Sequence, residues 1–365
     1  MSKVFVYDST YREVQATIDE IFETLEIDLT GKTTLIKPNA LSEREPEQGA
    51  NTHPSILRAV INSAKKAGAS RVMVGDNPGQ ANYGVIENLF ETNGLGEAAG
   101  EHLENFGINL VKKNLPSLPE EDLYFPGLLF DVDYVINVPK LKVHPGTGLT
   151  AAIKNTFGYL AGAQKAHLHV IAENRRHFES ILADVYDLRR PDLNIVDGIL
   201  AVEGRAGLGT NLRYLNKVLA STSGSAVDIL GASILGLDPT NLYHVTYVAE
   251  REGIPVDVAK LEVIGDWKAA PDITLPKGFN PGETRPEAAA SAGLVESASR
   301  KILALSEEEC DGCAKCAEEC PTDALTMADG LPRMTQELCV SCFACMEVCT
   351  MSAMELDPIY PEHPA

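Results

Sequence analysis

The stretch that decides the reading is CDGCAKCAEECPTDALTMADGLPRMTQELCVSCFACMEVCT, residues 310–350. It holds two runs of four cysteines: Cys310-x2-Cys313-x2-Cys316-x3-Cys320, followed by Pro321, and Cys339-x2-Cys342-x2-Cys345-x3-Cys349, followed by Thr350. Each cysteine recurs 29 residues later, and the octapeptide CPTDALTM from Cys320 is answered by CTMSAMEL from Cys349, so the stretch is an internal duplication. The first 309 residues contain no cysteine at all. Disulfides would be scattered over the fold they staple, whereas a block of this kind means metal. Three thiolates at x2 spacing wrap a tight loop in which each reaches a different iron, and the fourth opens a segment that leads away to the other cluster. The expected sets are Cys310, Cys313, Cys316 and Cys349 for one [4Fe–4S] cluster, and Cys320, Cys339, Cys342 and Cys345 for the other. Zinc prefers four ligands from separated CxxC pairs and fits two unbroken runs poorly.

Working outward, the module is expected over residues 305–356, with a tail at 357–365. A Pro/Gly/Ala-rich linker or arm occupies 267–304, where Pro271, Pro276, Pro281 and Pro286 recur. Residues 1–266 alternate short apolar runs with helical patterns. The runs at 4–7, 34–36, 71–74, 109–111, 134–138, 194–196 and 218–220 read as strands. Residues 56–67 place apolar side chains at 56, 57, 60, 61 and 64, one helix face, with Gly68 as a stop and Thr52-His53-Pro54 as a start. Strand–helix–strand alternation predicts a three-layer α/β domain with a mainly parallel sheet, followed by a small α+β cluster domain.

The formal charge of −21 excludes the basic stripe of a nucleic-acid binder. Residues 301–365 carry 3 Lys/Arg and 13 Asp/Glu, an acidic module that either aids solubility or steers a basic redox partner. No apolar run approaches a membrane span, and the N-terminal MSKVFVYD is unlike a secretion signal, so the expected location is the cytoplasm.

Against this acidity, residues 140–169 hold four lysines and three histidines. Lys37 and Lys140 both follow predicted strands, and in open α/β sheets ligands bind beyond the carboxyl ends of strands. One lysine at a strand end is ordinarily a solvated side chain, so the case rests on the group. The expectation is an anion-binding pocket, with His53, Lys140, His144 and Lys154 as candidate catalytic groups and Lys37, Asn39, Lys142 and Asn155 as candidate substrate ligands. His167 and His169 would share a face on a strand. Asp76, Asp197 and Glu203 read as acid–base groups or as helix caps, and the glycine-rich stretch 204–210 as an anion-wrapping or merely flexible loop.

The module is similar to bacterial two-cluster ferredoxins over its whole length, departing where Thr350 replaces the second proline. The first 266 residues resemble the uncharacterised DUF362 family, often fused to ferredoxin modules. The stretches that carry the resemblance are Ile36–Asn39, Thr52–Pro54, Gly75-Asp76, Val138–His144, Thr150–Gly158, Val196–Gly198, Glu203-Gly204 and Ala226–Asp228. Members usually carry Gly-Pro where this chain has Arg205-Ala206. The resemblance implies the fold and the fusion but no reaction. The composite suggests a redox protein that reduces an anionic small molecule through two low-potential [4Fe–4S] clusters. Alternatives are an electron carrier or adaptor docking to another oxidoreductase, and a redox sensor or maturation factor.

Overall fold

The computed structural model describes residues 3–78, 86–204, 211–270, 272–275, 302–340, 342–351 and 353–357. The strands of the first domain are β1 (Lys3–Asp8), β2 (Thr33–Pro38), β3 (Arg71–Val74), β4 (Leu110–Leu115), β5 (Leu118–Pro126), β6 (Tyr134–Val138), β7 (Lys140–His144), β8 (Gly148–Thr150), β9 (Leu193–Val202), β10 (Leu212–Ser221) and β11 (Glu262–Ile264). The main sheet runs β11-β1-β10-β9-β6-β2-β3, with β7 beside β9 and β8 hairpinned onto β7. Its pairs are parallel except β10 with β1 and β9, and β7 with β8.

Strand β9, Leu-Asn-Ile-Val-Asp-Gly-Ile-Leu-Ala-Val, is buried along its whole length, as a strand covered on both faces must be. It runs on to Val202 rather than ending at Asp197, because β6 pairs with its first half and, past Pro139, β7 pairs with its second. The expected strand at 109–111 is the start of β4, which belongs to a separate β4–β5 hairpin rather than to the main sheet.

Side-chain alternation divides the core into layers. Phe5, Ile36, Val74, Ile136 and Val218 face α1 (Val14–Thr24) and α2 (Pro54–Lys66). The alternate residues Val4, Val6, Val196 and Leu219, with Leu35, Met73 and Val135, face the opposite layer. That layer contains α3 (Ala152–Asn155), α4 (Gln164–Ile171), α5 (Arg175–Leu188), α6 (Gly224–Ile234) and α7 (Tyr243–Glu252). Helix α2 starts where the sequence signals it: His53 is the N-cap, its Nδ1 accepting the Ser55 N–H, and Pro54 fills the first turn. It stops at Gly68, whose φ of +92° no branched side chain tolerates.

The second domain is closed by β12 (Ile302–Leu305) pairing antiparallel with β15 (Met354–Asp357), which draws residues 302–304 into the module. Between them lie α8 (Lys315–Glu318), the hairpin β13 (Leu325–Ala328) and β14 (Leu331–Met334), and α9 (Ala344–Glu347). Asp329 and Gly330, both at positive φ, make the tight hairpin turn. Ala314 and Phe343, duplicates 29 positions apart, both precede their helices in the left-handed conformation. The start of the arm packs Trp267 and Ile273 against the first domain, and 276–301 lies outside the described residues.

The short helix α3 depends on Asp228 of α6, whose carboxylate accepts the Ala152 and Ile153 N–H groups at 2.7 and 3.0 Å. Burial pushes this carboxyl up to about 7, with the two N–H groups pulling it back down. A raised carboxyl contributes stability at low pH that is lost as pH rises from about 4 to about 7. Asp228→Asn should flatten that slope, so the gap in urea midpoint between wild type and variant should narrow over this window. A constant gap would contradict the burial argument.

Candidate functional site

The eight cysteines divide between two cavities. Cys310, Cys313, Cys316 and Cys349 line one, walled by Leu305, Met327 and Met354. Cys320, Cys339, Cys342 and Cys345 line the other, walled by Leu325, Met334 and Phe343. In each, one thiol comes from the opposite half of the duplication. These surroundings fit an iron–sulfur cluster: four thiols, apolar walls, and backbone N–H groups on sulfur, as where Cys349 Sγ accepts from Ala353 at 3.2 Å. Burial pushes the Cys342 thiol up to about 12, partly offset by the Ala344 N–H. A thiol that dry is a poor free thiolate and well placed for a metal.

In the first domain the polar groups gather at the carboxyl ends of β2 and β6. Strand β7 reads Lys-Leu-Lys-Val-His, and its period of two sends Leu141 and Val143 into the core and Lys140, Lys142 and His144 to the other side. Lys140 Nζ lies 2.8 Å from Asp197 Oδ2, and both side chains are fully buried. The Asp197 carboxylate also accepts from Tyr11 Oη at 3.2 Å and from the His53 N–H at 3.0 Å. Tyr11 in turn accepts from Lys140 at 2.8 Å and stacks on the His53 ring at 3.6 Å. Lys37 pairs with Asp76 at 2.6 Å, again buried. A Cβ on Gly158 would fall 2.2 Å from Asp76 Oδ1, so only glycine fits beside this pair.

These lysines are therefore neither free anion ligands nor solvated side chains, because buried aspartates already hold them. Burial pulls both below the usual lysine range and their aspartates push them back up. Among the described residues neither Asp76 nor Asp197 is itself the N-cap of a helix, Asp197 instead accepting the N–H of the N-cap His53, and Glu203 is held by Arg213 at 3.1 Å. Residues 205–210 of the glycine-rich loop lie outside the described residues.

Lys142 differs, since it donates to two neutral acceptors, Asn39 Oδ1 and Ala50 O, each at 2.7 Å. Burial, then Lys154 and Lys140, hold it well below the usual lysine range. His144 Nδ1 accepts the Gly146 and Thr147 N–H groups at 3.1 Å each, which places the proton of a neutral ring on Nε2. Although partly exposed, His144 is held well below the histidine range, first by desolvation and then by Lys154. Asn155 is a brace between strands, donating to Pro38 O at 3.1 Å and Asn137 Oδ1 at 2.8 Å.

His167 and His169 lie on helix α4 rather than on a strand, and two positions along a helix point them apart. His167 is exposed, 3.7 Å from Glu121. His169 stacks on Phe178 at 4.1 Å, and burial holds it near 3. Sequence reasoning missed two groups. Tyr11 sits in a turn with no motif around it. His244 donates or shares its Nδ1 proton with Glu179 Oε2 at 2.6 Å, while its fully buried Nε2 has no hydrogen-bond partner among the described residues. His144 feels the charges of Lys154, His169, Lys142 and His244, so these five groups form one neighbourhood.

Fold and site together define an iron–sulfur protein, an α/β domain with a polar layer at its strand ends joined to a dicluster module. A domain of unknown function, DUF362, matches residues 34–233, and a 4Fe-4S dicluster domain matches residues 302–350. The chain belongs to the DUF362 family. The thylakoid-associated protein sll1697 of Synechocystis sp. is 30% identical over 262 residues, 68% of this chain and 79% of that protein. Among solved structures, the lactate racemase apoprotein from Thermoanaerobacterium thermosaccharolyticum aligns with a TM-score of 0.41 and 11% identity, over 64% of this chain and 57% of that one. A Thermotoga maritima protein of known crystal structure aligns with a TM-score of 0.37 and 11% identity, over 67% of this chain and 60% of that one. Among the described residues no helix is long and apolar enough to cross a membrane.

Lys140→Met should cost about 3–5 kcal/mol in denaturant unfolding, because it strands Asp197 as a buried charge. Lys140→Met combined with Asp197→Leu should cost less than the sum of the two single variants, because the buried charge goes with its partner. Additive losses in the double variant would show that the two residues do not act as a pair.

Proposed function

We propose that this protein is a redox enzyme that reduces an anionic small molecule at the strand-end layer, drawing its electrons from two [4Fe–4S] clusters in the cysteine module. Cys310, Cys313, Cys316 and Cys349 would hold one cluster, and Cys320, Cys339, Cys342 and Cys345 the other. When bound, such clusters supply electrons one at a time at low potential. One observation carries the reading. Ala163 packs against Phe343 of the second cysteine loop, while Lys165, two residues on, lies buried within the field of Asp76, the partner of Lys37. One short segment thus touches both the module and the polar layer.

In this reading Lys154 and Lys142 receive the anion. A two-electron reduction also consumes two protons, and His144 and His244 are the groups placed to hand them over. Burial holds both Lys142 and His144 below their ordinary ranges, and a negative charge beside them would favour their protonated forms. Burial around them excludes the water that would otherwise compete. The acidic module supports a second reading, a carrier that passes electrons to another oxidoreductase.

The test is anaerobic purification of the full chain, with iron and sulfide assay and native mass spectrometry for a co-purifying small molecule. Lys142→Met or Lys154→Ala should weaken its retention roughly 10- to 100-fold, the worth of one hydrogen bond to a charged group, and leave the cluster absorbance unchanged. Equal behaviour of wild type and both variants, with a co-purifying protein instead, would favour the carrier.

A further inference from the structure

Of the positions at which the two halves of the duplication differ, two bear on how the second cavity meets the first domain. Position 314 is Ala and its duplicate is Phe343, each in the left-handed conformation that non-glycine residues rarely adopt. Phe343 follows Cys342, is only 2% exposed, and packs with Met346 against Ala163 of the first domain. Glu319 precedes Cys320 and accepts the Asn109 N–H at 3.0 Å, whereas its duplicate, Val348, packs into the module's own core. The receiving surface is itself pinned. Gln164 holds Tyr124 at both N–H and C=O, at 2.8 and 3.1 Å, and Ala161 O at 2.9 Å. The first cavity has the opposite outlook: Cys313 is exposed, and Met351 on its rim is 46% exposed.

We infer that the two cysteine cavities face opposite ways. The Cys320, Cys339, Cys342 and Cys345 cavity serves the α/β domain, and the Cys310, Cys313, Cys316 and Cys349 cavity meets an external one-electron carrier. Phe343 is the positioning residue that sets this order. The inference rests on the dicluster reading above, but not on the identity of any substrate.

The test uses the reconstituted full chain, challenged anaerobically with ferricyanide and followed by electron paramagnetic resonance. Cys313→Ser and Cys342→Ser each mark one cluster by an altered signal. The cluster marked by Cys313→Ser should lose iron first, and the one marked by Cys342→Ser should lag. Phe343→Ala should abolish the lag and raise the midpoint potential of the inner cluster alone, because water then stabilises its extra negative charge. Phe343→Tyr should restore both, and Glu319→Ala, which removes the half-buried acceptor of the Asn109 N–H, should shorten the lag without disturbing the fold. Equal loss rates in the wild type, or first loss at the Cys342 side, would overturn the assignment. An iron content far below about eight atoms per chain would instead sink the dicluster reading itself.

Discussion

A single buried carboxylate, Asp197, holds the first domain together where its strands change partners. It sits on β9 where β6 gives way to β7, and receives Lys140 from β7, Tyr11 from the turn after β1, and the backbone of His53 at the start of α2. An unpaired charge there would be expensive. Each of these segments is therefore fixed relative to the others by the need to satisfy one group. The polar layer inherits its geometry from that constraint: Lys142 and His144 follow Lys140 along the same strand face, and α2 begins beside them.

The pairing also changes what the basic residues mean. In the sequence, the lysines of 140–165 look like a reversal of sign in an acidic chain. In the fold, Lys37 and Lys140 are neutralised by aspartates, Lys165 is buried with its Nζ on Leu160 O, and Lys142 is pressed toward its neutral form. A layer of this kind is better at moving protons than at attracting anions over a distance. The Glu179–His244 pair, with one ring nitrogen held and the other unpartnered among the described residues, belongs to the same chemistry.

Much of the architecture was legible because it follows from simple periodicity. Residues 56–67 showed one apolar face, and short apolar runs marked β1, β2, β3, β6, β9 and β10. The β7–β8 hairpin was not legible as strands, because Lys-Leu-Lys-Val-His spends its outward positions on the site and looks like a motif. The β4–β5 pair was read only at its first residues, since Lys112, Lys113, Glu120, Glu121 and Asp122 give it the look of a loop. His167 and His169 alternate like strand residues yet sit on a helix, with Leu168 between them packed into the core. The counter-ions were out of reach for a different reason. Asp197 lies 57 residues from Lys140, and His244 lies 65 from Glu179, and only the fold brings such pairs into contact. The cysteine spacing was informative because the fourfold ligand need is local and repeated.

The antiparallel closure of β12 on β15, with Ile302 opposite Asp357, brings the two ends of the cluster module to one corner. The covalent chain therefore says little about which way the module points. In the language of binding, the module is a ligand of the α/β domain that happens to be tied to it. Phe343 against Ala163 and Glu319 against the Asn109 N–H are contacts through which that ligand meets its receptor.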